Sequence, residues 1–334
     1  MTGVRAFFDR HAFVAAESRD VGRTPLRIVL CGVPIVLFRP NSGGIAALED
    51  RCPHRGVPLS IGHVDSDTIV CRYHGWAFDA AGHCRAMPGT RDGQPLGTPR
   101  VTRLSVIEHQ GLVWVSLTPE VLLPSRIKAL QENECRFRWR ATWNAPIIDV
   151  QENFLDALHT HTIHAGLVRR ASARRPIQAS VSVVDDGFHV DYTGQPSQSG
   201  LLYRLFESRR TLERAHVSGA CVTQLEFAYA AGWAAWITLC CTPETKGTTR
   251  IYASLHVRGR WAPSWLVRAL AWPLLARVAD QDRDILERQQ HARADFDGRP
   301  YITTPLDIVR PFLEATWNGR LAEMPARRET VLSI

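Results

Sequence analysis

The first third of the chain alternates short apolar runs with turn-forming residues. RIVLCG, PIVLFRP, GIAALED, TIVCR, WAFDA, LSVIEHQ and LVWVSL follow one another, with Gly, Asn, Asp or Pro between most of them. Runs of this length, rich in β-branched and aromatic residues and bounded by turn formers, predict strands. Together they predict a small antiparallel all-β domain over residues 1–120. Residues 121–334 read differently. A helix is expected after Pro146, continuing through QENFLDALHTHTIH (151–164). The strands IQASVSVVDD, GFHVDYTG, CVTQLEFAYAAG, AAWITLCCT and TRIYASLHVRG come next, and then a long helix beginning near Pro263. Strands followed by a helix predict an α+β domain in which an antiparallel sheet wraps against helices.

Composition narrows the class. At 334 residues, with 45% apolar and 22% charged content, the chain is long enough for two folded domains with a core each. Its longest apolar stretch, SWLVRALAWPLLARVA (264–279), is interrupted by Arg268, Pro273 and Arg277 and is not expected to span a bilayer. The start carries Arg5, Asp9 and Arg10 and lacks the uninterrupted apolar core of a signal peptide. These features predict a cytoplasmic protein without a membrane partner. The net charge of +7 rests on arginine, since Lys128 and Lys246 are the only lysines. The densest basic run, RRASARR (169–175), is expected to be a solvated loop, and without aromatic interleaving it gives no basis for nucleic-acid binding.

Eight cysteines (Cys31, Cys52, Cys71, Cys84, Cys135, Cys221, Cys240 and Cys241) are scattered through the chain. Such scatter speaks against a disulfide framework and for metal binding by some of them. Cys240 and Cys241 are adjacent on one strand, so they point to opposite faces and do not share a metal. Cys52-x-His54 and Cys71-x-x-His74 are separated by sixteen residues. Zinc sites usually open with two cysteines that have roughly two to four residues between them, which makes C-x-H unusual for zinc. The spacing fits a Rieske 2Fe-2S centre, where two thiolates hold one iron and two imidazoles the other. Pro53 and Gly56 in the first loop and Gly75 in the second permit turns that aim the side chains at one point. Neutral imidazoles place such a centre at roughly −150 to +300 mV, suited to passing electrons towards an oxidant. With that ligand set complete, His63, His83 and Cys84 are expected to be loop or packing residues. The motif also resembles the Rieske domain of ring-hydroxylating oxygenases. The likeness runs from RIVLCGVPIVLFR through EDRCPHRGVPLSIG and CRYHGWAFDAAGHC to GLVWVSL, most of residues 13–118.

A second constellation lies in QENFLDALHTHTIH, with Glu152, Asp156, His159, His161 and His164. On a regular helix, residues three or four apart share a face, which pairs Asp156 with His159 and His161 with His164. His159 and His164 fall about 140° apart, so helical geometry alone favours His161 with His164. The stretch resembles the Rieske non-heme iron oxygenase pattern of Asn, then Asp-x-x-His-x-x-x-x-His, which implies Asn153, Asp156, His159 and His164 instead. For His159 and His164 to share a metal, the helix must unwind near Thr160 to Ile163, eased by β-branched side chains. The carboxylate that completes a facial triad is sought in VADQDRDILERQQ (278–290), where Asp280, Asp282, Asp284 and Glu287 are candidates. The resemblance implies Asp282, followed by Glu287 five residues on. Gln281, where an acid is common, and Asp284, where an apolar residue is common, depart from the pattern.

The resemblance implies a helix-grip-like catalytic domain and two cofactors, a Rieske 2Fe-2S cluster and a mononuclear Fe(II). It implies a terminal oxygenase acting on a small, largely apolar, aromatic or polycyclic substrate. In chain length the protein looks like the family's demethylating members, of the vanillate and dicamba demethylase type. Hydroxylation or oxidative demethylation is therefore the first expectation and ring cis-dihydroxylation the second. A Rieske electron-transfer or binding protein without oxygenase activity is the alternative from another class. No G-x-G-x-x-G follows a strand, so electrons are expected from a separate NAD(P)H-dependent reductase, with or without a ferredoxin. In the proteins it resembles, electrons cross between subunits. Mapped here, Asp156 joins His74 of one chain to His159 of the next, which implies a ring of identical chains, most simply a trimer. Asp156 acting only to orient His159 is the alternative. Phe227, Tyr229, Trp233 and Trp236 are candidates for the pocket wall, each also readable as ordinary core.

Overall fold

The computed structural model describes residues 11–91, 99–170, 174–194, 199–206, 208–259, 262–296 and 298–334. The chain divides into two compact units, Met1–Leu122 and Leu123–Ile334. Among the described residues no helix is long and apolar enough to cross a membrane.

The first unit contains β1 (Phe13–Glu17), β2 (Leu26–Leu30), β3 (Val33–Phe38), β4 (Ala46–Glu49), β5 (His63–Asp65), β6 (Thr68–Val70), β7 (Ala77–Asp79), β8 (Cys84–Ala86), β9 (Ser105–His109) and β10 (Leu112–Ser116). They form three antiparallel sheets, ordered β1-β10-β9, β2-β3-β4 and β5-β6-β7-β8. β5 and β8 have three residues each, too short for an alternation to register in the sequence. A core of Phe38, Leu48, Leu59, Ile69 and Phe78 packs around Cys52 and Cys71. The loop after β4 carries Cys52 and His54, and the loop between β6 and β7 carries Cys71 and His74.

The second unit contains α1 (Ser125–Lys128), β11 (Cys135–Trp143), α2 (Ile147–Leu155), β12 (Pro176–Val184), β13 (Gly187–Thr193), α3 (Leu201–Phe206), β14 (Arg210–Ser218), β15 (Val222–Tyr229), β16 (Ala234–Thr245), β17 (Thr248–Arg258), α4 (Ser264–Asp295), α5 (Arg310–Trp317) and β18 (Arg327–Ser333). Eight strands make one antiparallel sheet ordered β11-β17-β16-β15-β14-β13-β12-β18. β11, β14 and β18 are not among the strands expected from the sequence. β14 (RTLERAHVS) and β18 (RRETVLS) are strongly charged, and their strand state is imposed by pairing with neighbours. β11 (CRFRWRATW) alternates Phe, Trp, Ala and Trp against Arg and Thr, a strand period that was there to be read. α5 closes one end of the core, where buried Phe312 meets Phe188 of β13 with ring centroids 5.6 Å apart. Burial of each such ring contributes about 2–3 kcal/mol.

Two expectations need correction here. The helix after Pro146 stops at Leu155 and does not run on to His164. Asp156 leaves it with φ −75° and ψ 128°, because its own carboxylate captures the Leu158 and His159 N–H groups, and this local turn competes with helix continuation. The break thus lies upstream of Thr160, and only a short 3-10 turn, His159–His161, follows. In the basic run, Arg174 and Arg175 are exposed as expected, but Arg169 is buried. Residues 171–173 of that run lie outside the described residues.

Candidate metal centres

In the first unit the two Cys-His loops are built alike. The Cys52 N–H donates to the Val57 carbonyl at 2.8 Å, and the Gly56 N–H returns to the Cys52 carbonyl at 2.9 Å. The second loop repeats this, with the Cys71 N–H on the Trp76 carbonyl at 2.8 Å and the Gly75 N–H on the Cys71 carbonyl at 3.0 Å. Gly56 and Gly75 have φ of 74° and 72°, a left-handed conformation that glycine adopts without strain. At Gly75 a Cβ would also meet Pro88 Cγ at 2.9 Å. The loops bring the Cys52 and Cys71 thiols together in the core, while the His54 and His74 rings lie nearer the surface, 4.5 Å apart. Trp76 stacks on His54 at 4.5 Å with the planes 3° apart, which fixes that ring. His54 Nδ1 is buried with no hydrogen-bond partner. Two adjacent thiols, two convergent imidazoles and an orphaned ring nitrogen fit a 2Fe-2S cluster with one iron on sulfur and the other on nitrogen. His83 turns to Asp79 at 3.5 Å, as a packing residue does.

The second unit assembles another set. α2 presents Asn153, the turn after it presents Asp156 and His159, and His164 follows the 3-10 turn. On α4, Leu275, Ala279, Asp282 and Leu286 recur at helical spacing and form the inward stripe. Asp282 is therefore buried. Asp280 and Asp284 fall on the opposite side, well exposed, and pair with Arg283 at 2.9 Å and Arg288 at 2.8 Å. Glu287 accepts the Asn144 N–H at 3.0 Å. The ligating atoms of His159, His164 and Asp282 lie within 4.8 Å of one another. Asp282 Oδ1 is 2.9 Å from His164 Nε2 and 3.6 Å from His159 Nε2, and it accepts a hydrogen bond from Asn153 Nδ2 at 3.2 Å. Burial opposes a charge on His164, but the neighbouring Asp282 carboxylate and Gln281 outweigh it and raise its pKa. His164 Nε2 is buried and turned to the Asp282 carboxylate. Two imidazole nitrogens converging on a buried carboxylate fit a divalent metal. His161 is not part of this group, because its Nδ1 turns to the Arg170 carbonyl at 2.9 Å.

Buried polar anchors hold the triad's backbone. Tyr192 donates to the Leu155 carbonyl at 2.6 Å, and burial pushes its phenol pKa far up, so the hydroxyl keeps its proton. Arg169 donates to the Ala157 carbonyl at 3.0 Å and to Thr160 Oγ1 at 2.6 Å, and is itself held by Glu213 at 3.2 Å. Arg310 of α5 ties down α2 through Asp149 at 2.5 Å and Glu152 at 2.7 Å. Tyr192 and Arg310 carry no signal in the sequence and Arg169 sits in the basic run expected to be solvated, since each acts on backbone or on carboxylates distant in the chain.

The triad opens onto a cavity of about 670 Å³ between the sheet, α2 and α4. Strand alternation selects its wall: Leu225 and Phe227 of β15, Ile237 and Leu239 of β16, and Leu255 and Val257 of β17 face inwards. Phe227, Tyr229 and Trp233 line it, and Tyr229 and Trp233 stack at 3.7 Å. Trp236 does not. It lies one residue out of phase, on the other face, under the Arg258 guanidinium at 4.9 Å.

A β unit with paired Cys-His loops, followed by a sheet-and-helix unit holding a buried His-His-Asp cluster beside an apolar cavity, defines a two-centre iron protein. Residues 11–107 match the Rieske 2Fe-2S domain, and residues 143–310, half of the chain, match the vanillate O-demethylase oxygenase C-terminal domain. The chain belongs to this family, whose members use a 2Fe-2S cluster and a mononuclear non-heme iron. It is 35% identical to the 3-chlorobenzoate-3,4-dioxygenase oxygenase subunit of Comamonas testosteroni, over 44% of this chain and 35% of that protein. It is 36% identical to the dicamba O-demethylase oxygenase component of Stenotrophomonas maltophilia, over 32% of each. The matched stretches thus span about a third of these curated relatives. Among solved structures, dicamba monooxygenase bound to 3,6-dichlorosalicylic acid superposes with a TM-score of 0.75, covering 95% of this chain and 98% of that one at 18% identity. NdmA of Pseudomonas putida with caffeine superposes with a TM-score of 0.76, covering 96% and 93% at 19% identity. At such identities the likeness concerns the fold alone.

Proposed function

We propose that the protein is the terminal oxygenase component of a multicomponent system, hydroxylating or oxidatively demethylating a small, largely apolar, aromatic or polycyclic substrate. The observation that carries this reading is the His159, His164 and Asp282 cluster opening onto the 670 Å³ apolar cavity. Residues 1–120 form the electron-entry domain, with Cys52, His54, Cys71 and His74 holding the cluster, and residues 121–334 form the catalytic domain. An iron held by two imidazoles and one carboxylate supplies dioxygen activation when reduced. The rest is the work of side chains. Asn153 keeps Asp282 turned towards the two imidazoles. Asp156 holds His159 by Nδ1 at 3.2 Å, which leaves Nε2 for the metal. The aromatic wall orients a flat substrate and excludes water from the reacting end.

Electrons come from a separate NAD(P)H-dependent reductase or its ferredoxin. The Asp156 side chain is 30% exposed, which suits a bridge from His159 to the surface-lying His74 of a neighbouring copy in a homotrimer. None of the eight cysteines is in a disulfide among the described residues, which suits the reducing cytoplasm. Ring cis-dihydroxylation is a second reading, favoured by the likeness to the 3-chlorobenzoate dioxygenase subunit. An electron carrier has no use for the buried triad.

Metal analysis of purified protein separates an oxygenase, with about three irons per chain, from a carrier with about two. His159→Ala should keep the visible spectrum of the cluster and abolish oxygen-dependent product formation from candidate aromatics and methyl ethers. Wild-type turnover by that variant would overturn the reading.

A further inference from the structure

The two imidazoles of the triad are held from behind by different chemistry. His159 turns Nδ1 to a carboxylate, Asp156 Oδ2, at 3.2 Å. His164 turns Nδ1 to a neutral amide, Gln281 Oε1, at 2.9 Å. Gln281 directly precedes Asp282 on α4, so one helical turn supplies both the carboxylate in front of His164 and the acceptor behind it. The His164 side chain is 1% exposed, leaving no room for water to compete for Nδ1. An amide oxygen only accepts, so Nδ1 donates to it and Nε2 is the nitrogen turned to the metal site. That nitrogen is buried, 2.9 Å from Asp282 Oδ1.

We propose that Gln281 is a positioning residue that fixes the tautomer and ring orientation of His164, and that its neutral amide holds metal affinity below what a carboxylate there would give. An imidazole N–H donating to a carboxylate becomes a more basic ligand, and the added negative charge also favours a divalent cation; an amide oxygen supplies orientation with little of either. The site is thus asymmetric, with one imidazole backed by charge and the other by a dipole. This rests on reading His164 as a metal ligand.

The test uses full-length protein retaining its cluster, stripped of mononuclear iron by a chelator and titrated with Co(II), whose visible ligand-field bands report binding. Gln281→Leu should weaken Co(II) binding about tenfold or more, and Gln281→Glu should tighten it about tenfold. Both should keep the cluster absorption. A role in packing alone predicts that both substitutions weaken binding. Gln281→Glu binding no tighter than wild type, or Gln281→Leu binding equally well, would overturn the proposal. A His164→Ala protein that binds Co(II) like wild type would instead sink the ligand assignment beneath it, which keeps the two failures apart.

Discussion

Asn153 Nδ2 donates to Asp282 Oδ1 at 3.2 Å, joining α2 to α4 across 129 residues of sequence. Both side chains are buried, and with the His164 contacts to Gln281 and Asp282 this bond ties the segment that carries the histidines to the helix that carries the carboxylate. Hydrogen bonds to charged groups contribute about 1.5–3 kcal/mol. Asn153→Ala should therefore lower mononuclear iron occupancy about tenfold while the cluster is retained, read as iron per chain after dialysis against a weak chelator. Full occupancy would argue that Asp282 is held by packing alone.

Asp156 serves two masters, its own turn and the His159 ring. Asp156→Asn keeps an acceptor for the turn but removes the charge. Both metals should stay bound, while single-turnover product formation from a pre-reduced cluster should fall at least tenfold. If turnover persists at the wild-type rate, Asp156 orients His159 and does not bridge subunits.

Arg169 is the anchor the basic run concealed. Arg169→Met would strip Thr160 Oγ1 of its donor, leave the Ala157 carbonyl with Thr160 Oγ1 alone at 2.6 Å, and leave Glu213 with Arg210 at 2.8 Å. Breaking a buried pair costs about 3–5 kcal/mol, and the remaining Arg210 places the expected loss near the lower end. Urea denaturation should show it in the second unit, together with loss of mononuclear iron. A shift below about 1 kcal/mol would mean the turn holds itself.

His256 of β17 gives the protein an acid-sensitive element. Neither ring nitrogen has a hydrogen-bond partner, and burial, with Arg138 adding to it, pushes its pKa down from the ordinary 6.5 to about 4. The unfolded chain takes up this proton before the folded chain does. The stability tied to it is full above pH 6.5 and is lost as pH falls towards 4. Between about pH 7 and about pH 5 the loss is roughly 2 kcal/mol, and His256→Leu should flatten that part of the stability profile relative to wild type. Parallel profiles for the two proteins would contradict the assignment.

What could be read from the chain was local. Cys52-x-His54 and Cys71-x-x-His74 sit in loops closed by their own backbone hydrogen bonds and glycines, so a few consecutive residues carry the whole design. Among Asp280, Asp282, Asp284 and Glu287 only the resemblance pointed to Asp282, and the structure turns it inwards on the face that Leu275, Ala279 and Leu286 mark. Tertiary structure decided the rest. Helical spacing favoured His161, yet the Asp156 carboxylate ended the helix, and the Arg170 carbonyl took His161 away from the group that His159 and His164 form with Asp282. Arg169 is buried because Glu213, 44 residues on, is there to receive it. Gln281 looked like a departure from a pattern until His164 was seen to lean on it. For Arg169 and His164 the deciding partner is remote in sequence and enters only once the sheet and helices have packed, while for the histidine segment it is a side-chain turn within a few residues, which no apolar period encodes.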